Sequence, residues 1–358
     1  MGLDMVFGFG KKKPQPTFKE RVAEFWQWFP QVADRFYQTI EQGKCETLAP
    51  EVGKVADKLL PHMAWVFGPG ENGGHSFTVS GEGQLVKQLL AEYWHSQAPQ
   101  IPRWTFHASR QPGKMDGIAI AVGGGASVDT EHFLLKTSVD EEQKVINIEA
   151  WHPALQKVPP DHHYQILFLL LDEALGEFGT EMWLGEIKVE PFAPAQGTIS
   201  LSALPAMIDK VSQYYKCEKL SPLESYSGYQ VSTQTNSPRG DTVAGTTCIG
   251  SVLMDFLENG GKLEEDPLSG TGAQLAYLAI DGSVFPDGEQ VEVRANIEDA
   301  LSEALEREDS GRTLGGACGL RQSYIDLLLL DGDNSKRIVE GVLETLQLRG
   351  RAQIKTFV

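Results

Sequence analysis

The sequence predicts an α+β fold: two α/β-sandwich domains with mostly antiparallel sheets, the C-terminal one ferredoxin-like. Three observations lead there. Residues 161–190 read as a strongly apolar helix, unbroken over 166–171, which delivers the alternating segment 185–190, a strand with one wet face. From residue 274 the patterns run strand, helix, one or two strands, helix, strand, the order of a ferredoxin-like sandwich. The chain, at 358 residues, is too long for one ordinary core, and its composition shifts after Phe192. The expected organisation is an N-terminal domain over 14–192, a linker helix with a loop-rich segment over 193–247, and a C-terminal domain over 248–358.

In chain order, residues 18–41 carry one helical stripe of Val22, Phe25, Trp26, Phe29, Ala33, Phe36, Tyr37 and Ile40. Pro30 falls inside it and predicts a kink or a restart. A second helix fits 48–60. Strands at 65–67 and 75–79 flank a glycine-rich turn and form a hairpin. A helix at 84–94 follows, then a strand at 103–110 with Trp104 and Phe106 on one side. Residues 118–122 lead into Gly123, Gly124 and Gly125, and 133–137 pairs with 144–150 as a hairpin. The alternation at Val145, Ile146, Asn147 and Ile148 leaves the buried face of that hairpin open.

The central helix opens at Asp161, behind Pro159 and Pro160, and Gly176 or Gly179 ends it. So much apolar surface predicts burial on several sides. Further on, 199–216 reads as helix, 229–235 as a strand in a Ser/Thr/Gly-rich stretch, and 249–257 as helix. The tail reads as strand 274–280, helix 297–307, strand or loop 313–320, strand 324–330, helix 335–346 and strand 352–357.

The formal net charge of −18 argues against affinity for nucleic-acid backbones, which needs basic surface. Much of it is concentrated: between Asp255 and Asp309 fifteen carboxylates face Lys262, Arg294 and Arg307, a net −12. A solvated face accounts for such a window; so does a docking surface for a basic partner. On the helix 297–307, Glu298, Glu303 and Glu306 lie off the stripe of Ile297, Leu301 and Leu305 and are expected to face out. The apolar run 166–171 is too short to span a bilayer, and Lys11, Lys12 and Lys13 follow rather than precede the short apolar start, unlike a secretory signal. The expectation is a cytoplasmic protein with no membrane contact.

Candidate chemistry is sparse. All eight histidines lie between His62 and His163, yet no HExxH or HxH spacing occurs, and Asp161, His162 and His163 sit a helix length from Asp172, Glu173 and Glu177. No metal and no cofactor are expected. Glu173 and Glu177, at i and i+4, share a helix face and ask for a cation, with Lys188 or Arg103 as suppliers. The glycines at 123–125 lack a phosphate-loop pattern and read as a turn. Cys318 lies among glycines near Arg312 and Arg321, a weak candidate nucleophile without a histidine nearby in sequence. Arg239, Gly240 and Asp241 form an adhesion-like tripeptide expected to be coincidental. Trp28 falls off the apolar stripe of the first helix and is a candidate contact residue. The expected function is therefore a non-catalytic binding or regulatory protein for a partner with basic surface. The alternative is an enzyme with an inter-domain site using Cys318 or the histidine-rich half. Oligomeric state is not encoded in any pattern here.

Overall fold

The computed structural model describes residues 15–71, 73–115, 117–122, 127–194, 196–219, 221, 223–234 and 237–358. The runs at Lys11–13 and Gly123–125 singled out above lie outside them. The fold is α+β, with mixed and antiparallel sheets.

Helix α1 (Phe18–Glu41) starts at a capping box: the Thr17 hydroxyl accepts from the Glu20 amide, and the Glu20 carboxylate accepts from the Thr17 amide. It runs through Pro30 as one element rather than restarting. After α2 (Ala49–Leu59) come β1 (Ala64–Pro69) and β2 (His75–Ser80), the expected antiparallel hairpin, then α3 (Leu85–Ser96) and β3 (Trp104–His107) parallel to β2. The buried stripe of α1 meets Phe77, Trp94, Trp104 and Phe106 in an aromatic layer. Two of the indole N–H groups in it find backbone carbonyls, Trp26 on Trp94 at 2.9 Å and Trp104 on Ala33 at 3.2 Å.

The middle of the chain builds a second core. Strand β4 (Ala119–Ala121) pairs with β5 (Ser127–Asp129), and β6 (Leu134–Asp140) with β7 (Val145–Trp151). Ile146, Ile148 and Ala150 face inward, which resolves the ambiguous alternation. Helices α4 (His163–Leu175) and α5 (Glu177–Trp183) carry the chain across to β8 (Leu184–Val189), parallel to β7, and β9 (Thr198–Ser200) closes the other edge before α6 (Leu204–Tyr215). The sheet order is β8-β7-β6-β9.

The remaining strands form one six-stranded sheet of order β10-β11-β13-β14-β12-β15, antiparallel throughout. They are β10 (Ser227–Gln230), β11 (Thr242–Thr247), β12 (Gln274–Asp281), β13 (Gly311–Gly319), β14 (Gln322–Leu329) and β15 (Ala352–Thr356), with α7 (Gly250–Glu258), α8 (Gln290–Arg307) and α9 (Gly332–Thr345) between them. The order β13-β14-β12-β15 with α8 and α9 is that of a ferredoxin-like unit. Strand β10 ends at Gln230, short of the expected 229–235, and 313–320 proves to be strand. Strand β12 alternates between two cores: Ala276, Leu278 and Ile280 meet α8 and α9, while Leu275, Tyr277 and Ala279 join the aromatic layer of α1, α3 and β1–β3.

The glycines of β13 have a packing reason. A Cβ on Gly316 would collide with the guanidinium of Arg294. Arg239 and Asp241 of the adhesion-like tripeptide are both buried. Arg239 pairs with Asp326 and lies against the rings of Tyr277 and Tyr324, and Asp241 accepts from the Arg321 and Gln322 amides and the Tyr324 hydroxyl.

Candidate functional site

Helix α4 is not buried on several sides. Leu167, Leu170, Leu171 and Ala174 face the second core, but Tyr164, Phe168 and Leu169 stay 46%, 41% and 39% exposed. The 3.6-residue period places Tyr164, Phe168 and Asp172 on one stripe, so an apolar ridge runs along the helix into a carboxylate.

The helix stops at Gly176, whose φ of 73° and ψ of 161° suit glycine alone. Glu173 and Glu177 therefore belong to different helices, and the expected i, i+4 pair does not form. Glu177 turns inward and is 3% exposed. Its carboxylate accepts from the Ser80 hydroxyl at 2.7 Å, the Gly83 amide at 3.1 Å, the Gln88 side-chain amide at 3.3 Å and the Arg110 amide at 3.3 Å. Four neutral donors from β2, the turn after it, α3 and the loop after β3 take the place of the expected cation. Lys188 pairs instead with Glu186, and Arg103 with Asp34.

Around this anchor lies a cleft of about 530 Å³. Its polar side is Glu82, Arg110, Asp172 and Glu181; its apolar side is Phe168, Leu169, Leu184 and Ile187. Burial pushes the Asp172 carboxyl up to about 6; Glu177 and Glu82 push the same way, against the Thr180 hydroxyl and Arg110. Burial also raises the neighbouring Glu173, with Arg110 opposing. Arg110 is already paired with Glu82. Gln88 bridges the two ends of the cluster, donating to Glu181 at 2.7 Å as well as to Glu177. The cleft thus sets several carboxylates and one arginine beside an apolar wall, the arrangement typical of a ligand site.

A second cluster brings Asp129, His132 and His152 together, with one ligand atom from each within 4.8 Å of the others. Sequence spacing could not reveal it, because it joins β5 and its turn to the residue after β7. The Asp129 carboxylate accepts from the Glu131 and His132 amides and from His132 Nδ1 at 2.8 Å. His152 is buried, and burial lowers its pKa, against Asp129, so the ring is neutral near pH 7. The Ala154 amide donates to its Nδ1 at 3.1 Å and the Asp129 amide to its Nε2 at 3.4 Å. A metal-bound imidazole needs a bare nitrogen toward the ion and its other N–H given to an acceptor, whereas backbone donors meet both nitrogens of His152. The cluster fits a hydrogen-bonded turn better than a metal centre.

The residues expected to mark a binding surface are dispersed. Glu303 and Glu306 are exposed on α8, Glu303 on a groove of about 420 Å³ against α9 and Glu306 bonded to Ser302 at 2.7 Å. Glu298 does not face out: it is half-buried, pairs with Arg294 at 2.5 Å, and has its pKa raised by burial against that arginine. Trp28 is half-buried and packs on Phe25, Phe29 and Phe36. Cys318 lies on β13 between Ala244 and Ser323, and Arg312, expected beside it, points to the carbonyls of Thr313 and Leu223. Glu82, Arg110 and Glu181 carried no sequence signal. The stripe of Tyr164, Phe168 and Asp172 did, and it was masked by the apolar run around it.

Comparison of the chain with protein-family models, with curated proteins and with solved structures found no match. Among the described residues no helix is long and apolar enough to cross a membrane.

Proposed function

We propose that the protein is a non-catalytic binding or regulatory protein that docks a partner with basic surface, and that the cleft beside α4 receives the partner's basic residues. The observation that carries this reading is the charge imbalance of the cleft. Glu82, Asp172, Glu177 and Glu181 face a single arginine, next to the exposed Phe168 and Leu169. Such a site gains from an arriving cation and from covering its apolar wall. The carboxylates of α8, Glu303 and Glu306 above all, add a negative field that steers a basic partner from a distance.

A photo-crosslinker at position 168 in the full chain tests the docking. A discrete basic protein should be trapped, and the product should vanish when Asp172→Asn or Leu169→Asp is introduced on a folded background. With that protein in hand, the Glu303→Lys, Glu306→Lys double variant should slow association at low salt and leave folding intact. Crosslinks spread evenly over unrelated proteins, unaffected by either change, would sink the reading.

An enzyme at the same cleft is the second reading. Asp172 favours it, since a carboxyl titrating near neutrality suits acid–base catalysis. Cys318 and the histidine cluster stand outside the cleft lining, so neither supplies the second group such a site needs.

A further inference from the structure

Resting on the reading of the cleft as a cation acceptor, we infer that its ligand is a primary alkylammonium, the side chain of a partner's lysine. The ammonium faces Asp172 and Glu181, and the methylene chain lies along Phe168, Leu169 and Ile187. Three features of the cleft select this chemistry over other cations.

A small metal ion needs several ligand atoms close together. Among the described residues only Asp129, His132 and His152 bring three such atoms within 4.8 Å. The carboxylates of the cleft are spread more widely than an ion's coordination shell. An ammonium, with three diverging N–H donors reaching oxygens about 2.8–3.0 Å away, spans the wider gap.

A guanidinium binds best as a planar fork on both oxygens of one carboxylate. Here the oxygens are largely taken. Those of Glu177 hold Ser80, Gly83, Gln88 and the Arg110 amide. Glu82 holds the Arg110 guanidinium, one oxygen of Glu181 holds Gln88, and Thr180 bonds to Asp172. What remains are single open oxygens, which suit a compact point charge.

A quaternary ammonium calls for a cage of several aromatic faces. The cleft offers one ring, Phe168, and otherwise aliphatic side chains along which an alkyl chain can lie.

Binding is coupled to a proton. The charged groups around Asp172 are Glu173 on its own helix, Glu177 and Glu181 on α5, Glu82 on the turn after β2, and Arg110 on the loop after β3. The carboxyl of Asp172 titrates near 6 in their presence. When the ammonium arrives below that pH, the Asp172 proton leaves to solvent and the carboxylate takes the cation; no bond other than O–H breaks.

The experiment is an NMR titration of the full chain with n-pentylammonium, read at the Phe168 ring protons. Saturable shifts are expected, with affinity falling about tenfold per pH unit below about pH 6 and level above about pH 7. Asp172→Asn and Glu181→Gln should each weaken binding about tenfold. Phe168→Ala, at an exposed position that leaves the carboxylate network untouched, should weaken it severalfold and guards against a fold defect being misread. Butylguanidinium and magnesium, titrated in parallel, should bind at least about tenfold more weakly. Equal competition by magnesium or butylguanidinium overturns the inference, as does affinity independent of pH between about 5 and about 7. Binding of pentylammonium without capture of any lysine-bearing protein would overturn the partner reading and leave the ligand class standing. Capture that depends on Phe168 but is indifferent to Asp172→Asn would do the opposite.

Discussion

Replacing Glu177 with alanine removes the acceptor for four donors at once. Two of them have other recourse: Gly83 is on an exposed turn and can turn to water, and Gln88 keeps its bond to Glu181. The Ser80 hydroxyl and the Arg110 amide do not, since Ser80 is buried and Arg110 is half-buried. Each buried donor left without an acceptor costs about 1–3 kcal/mol, so the pair predicts a loss of about 2–6 kcal/mol, partly offset by the desolvation and repulsion of a buried carboxylate that no longer has to be held. Glu177→Gln should do little better, because its NH2 would face donors where an oxygen now accepts. Urea denaturation at neutral pH, with the slope unchanged, measures the loss. A second readout is independent of stability: without the Glu177 charge the Asp172 carboxyl should titrate below its present value near 6. A loss under about 1 kcal/mol together with an unmoved Asp172 would show that Glu177 is not the anchor described.

Three further outcomes follow from the same region. Leu170→Ala, fully inside the second core, should cost about 2–5 kcal/mol in equilibrium denaturation. Gly176→Ala places a Cβ 2.9 Å from Pro112 Cδ and 3.0 Å from the Arg110 carbonyl at a positive φ, and should lower stability by about 2 kcal/mol or more in a thermal melt. Asp172 binds its proton more tightly folded than unfolded, so it opposes folding only as pH rises past the ordinary 3.8 and through about 6. Asp172→Asn should therefore gain on wild type by on the order of 1 kcal/mol between about pH 4 and about pH 8, after allowing for solvent screening, and an equal difference at both ends would contradict the assignment.

The parts of the fold that could be read from sequence are those set by local pattern. The β1–β2 hairpin follows from its glycine-rich turn, and β12, α8, β14, α9 and β15 follow from periodicity. What escaped depends on chain segments far apart. Nothing in 227–247 says that β10 and β11 extend the sheet beside β13. Nothing in the stripe of α1 says that its aromatic layer covers the face of β12 turned away from α8. The cleft escaped for the same reason, since Glu82, Arg110, Asp172 and Glu181 meet only after α3 and α4 are in place. Glu177 misled because a run of helix-forming residues hid the break at Gly176. Glu298 misled because helix phase alone does not show that Arg294 draws it toward the sheet.

The first helix has its fastening at the far end of the chain. The Phe18 amide bonds to the Gly272 carbonyl at 3.2 Å, the Lys19 amide to Leu330 at 3.0 Å, and the Thr17 hydroxyl to Asp331, 314 residues away, at 3.2 Å. A ribosome making this protein releases α1 first and its seat last. Until β12 and β14 emerge, the aromatic layer has lost one of its two sides, whereas the core of β5–β9, α4 and α6 is complete once residue 215 is out. The nascent chain then carries a finished middle and an unfinished beginning, with Phe18, Phe25 and Phe29 awaiting cover for most of synthesis. Such a topology folds slowly and is exposed to aggregation before release. A stall or a truncation before residue 272 would strand those aromatics, so loss of the last strands should be felt at the opposite terminus.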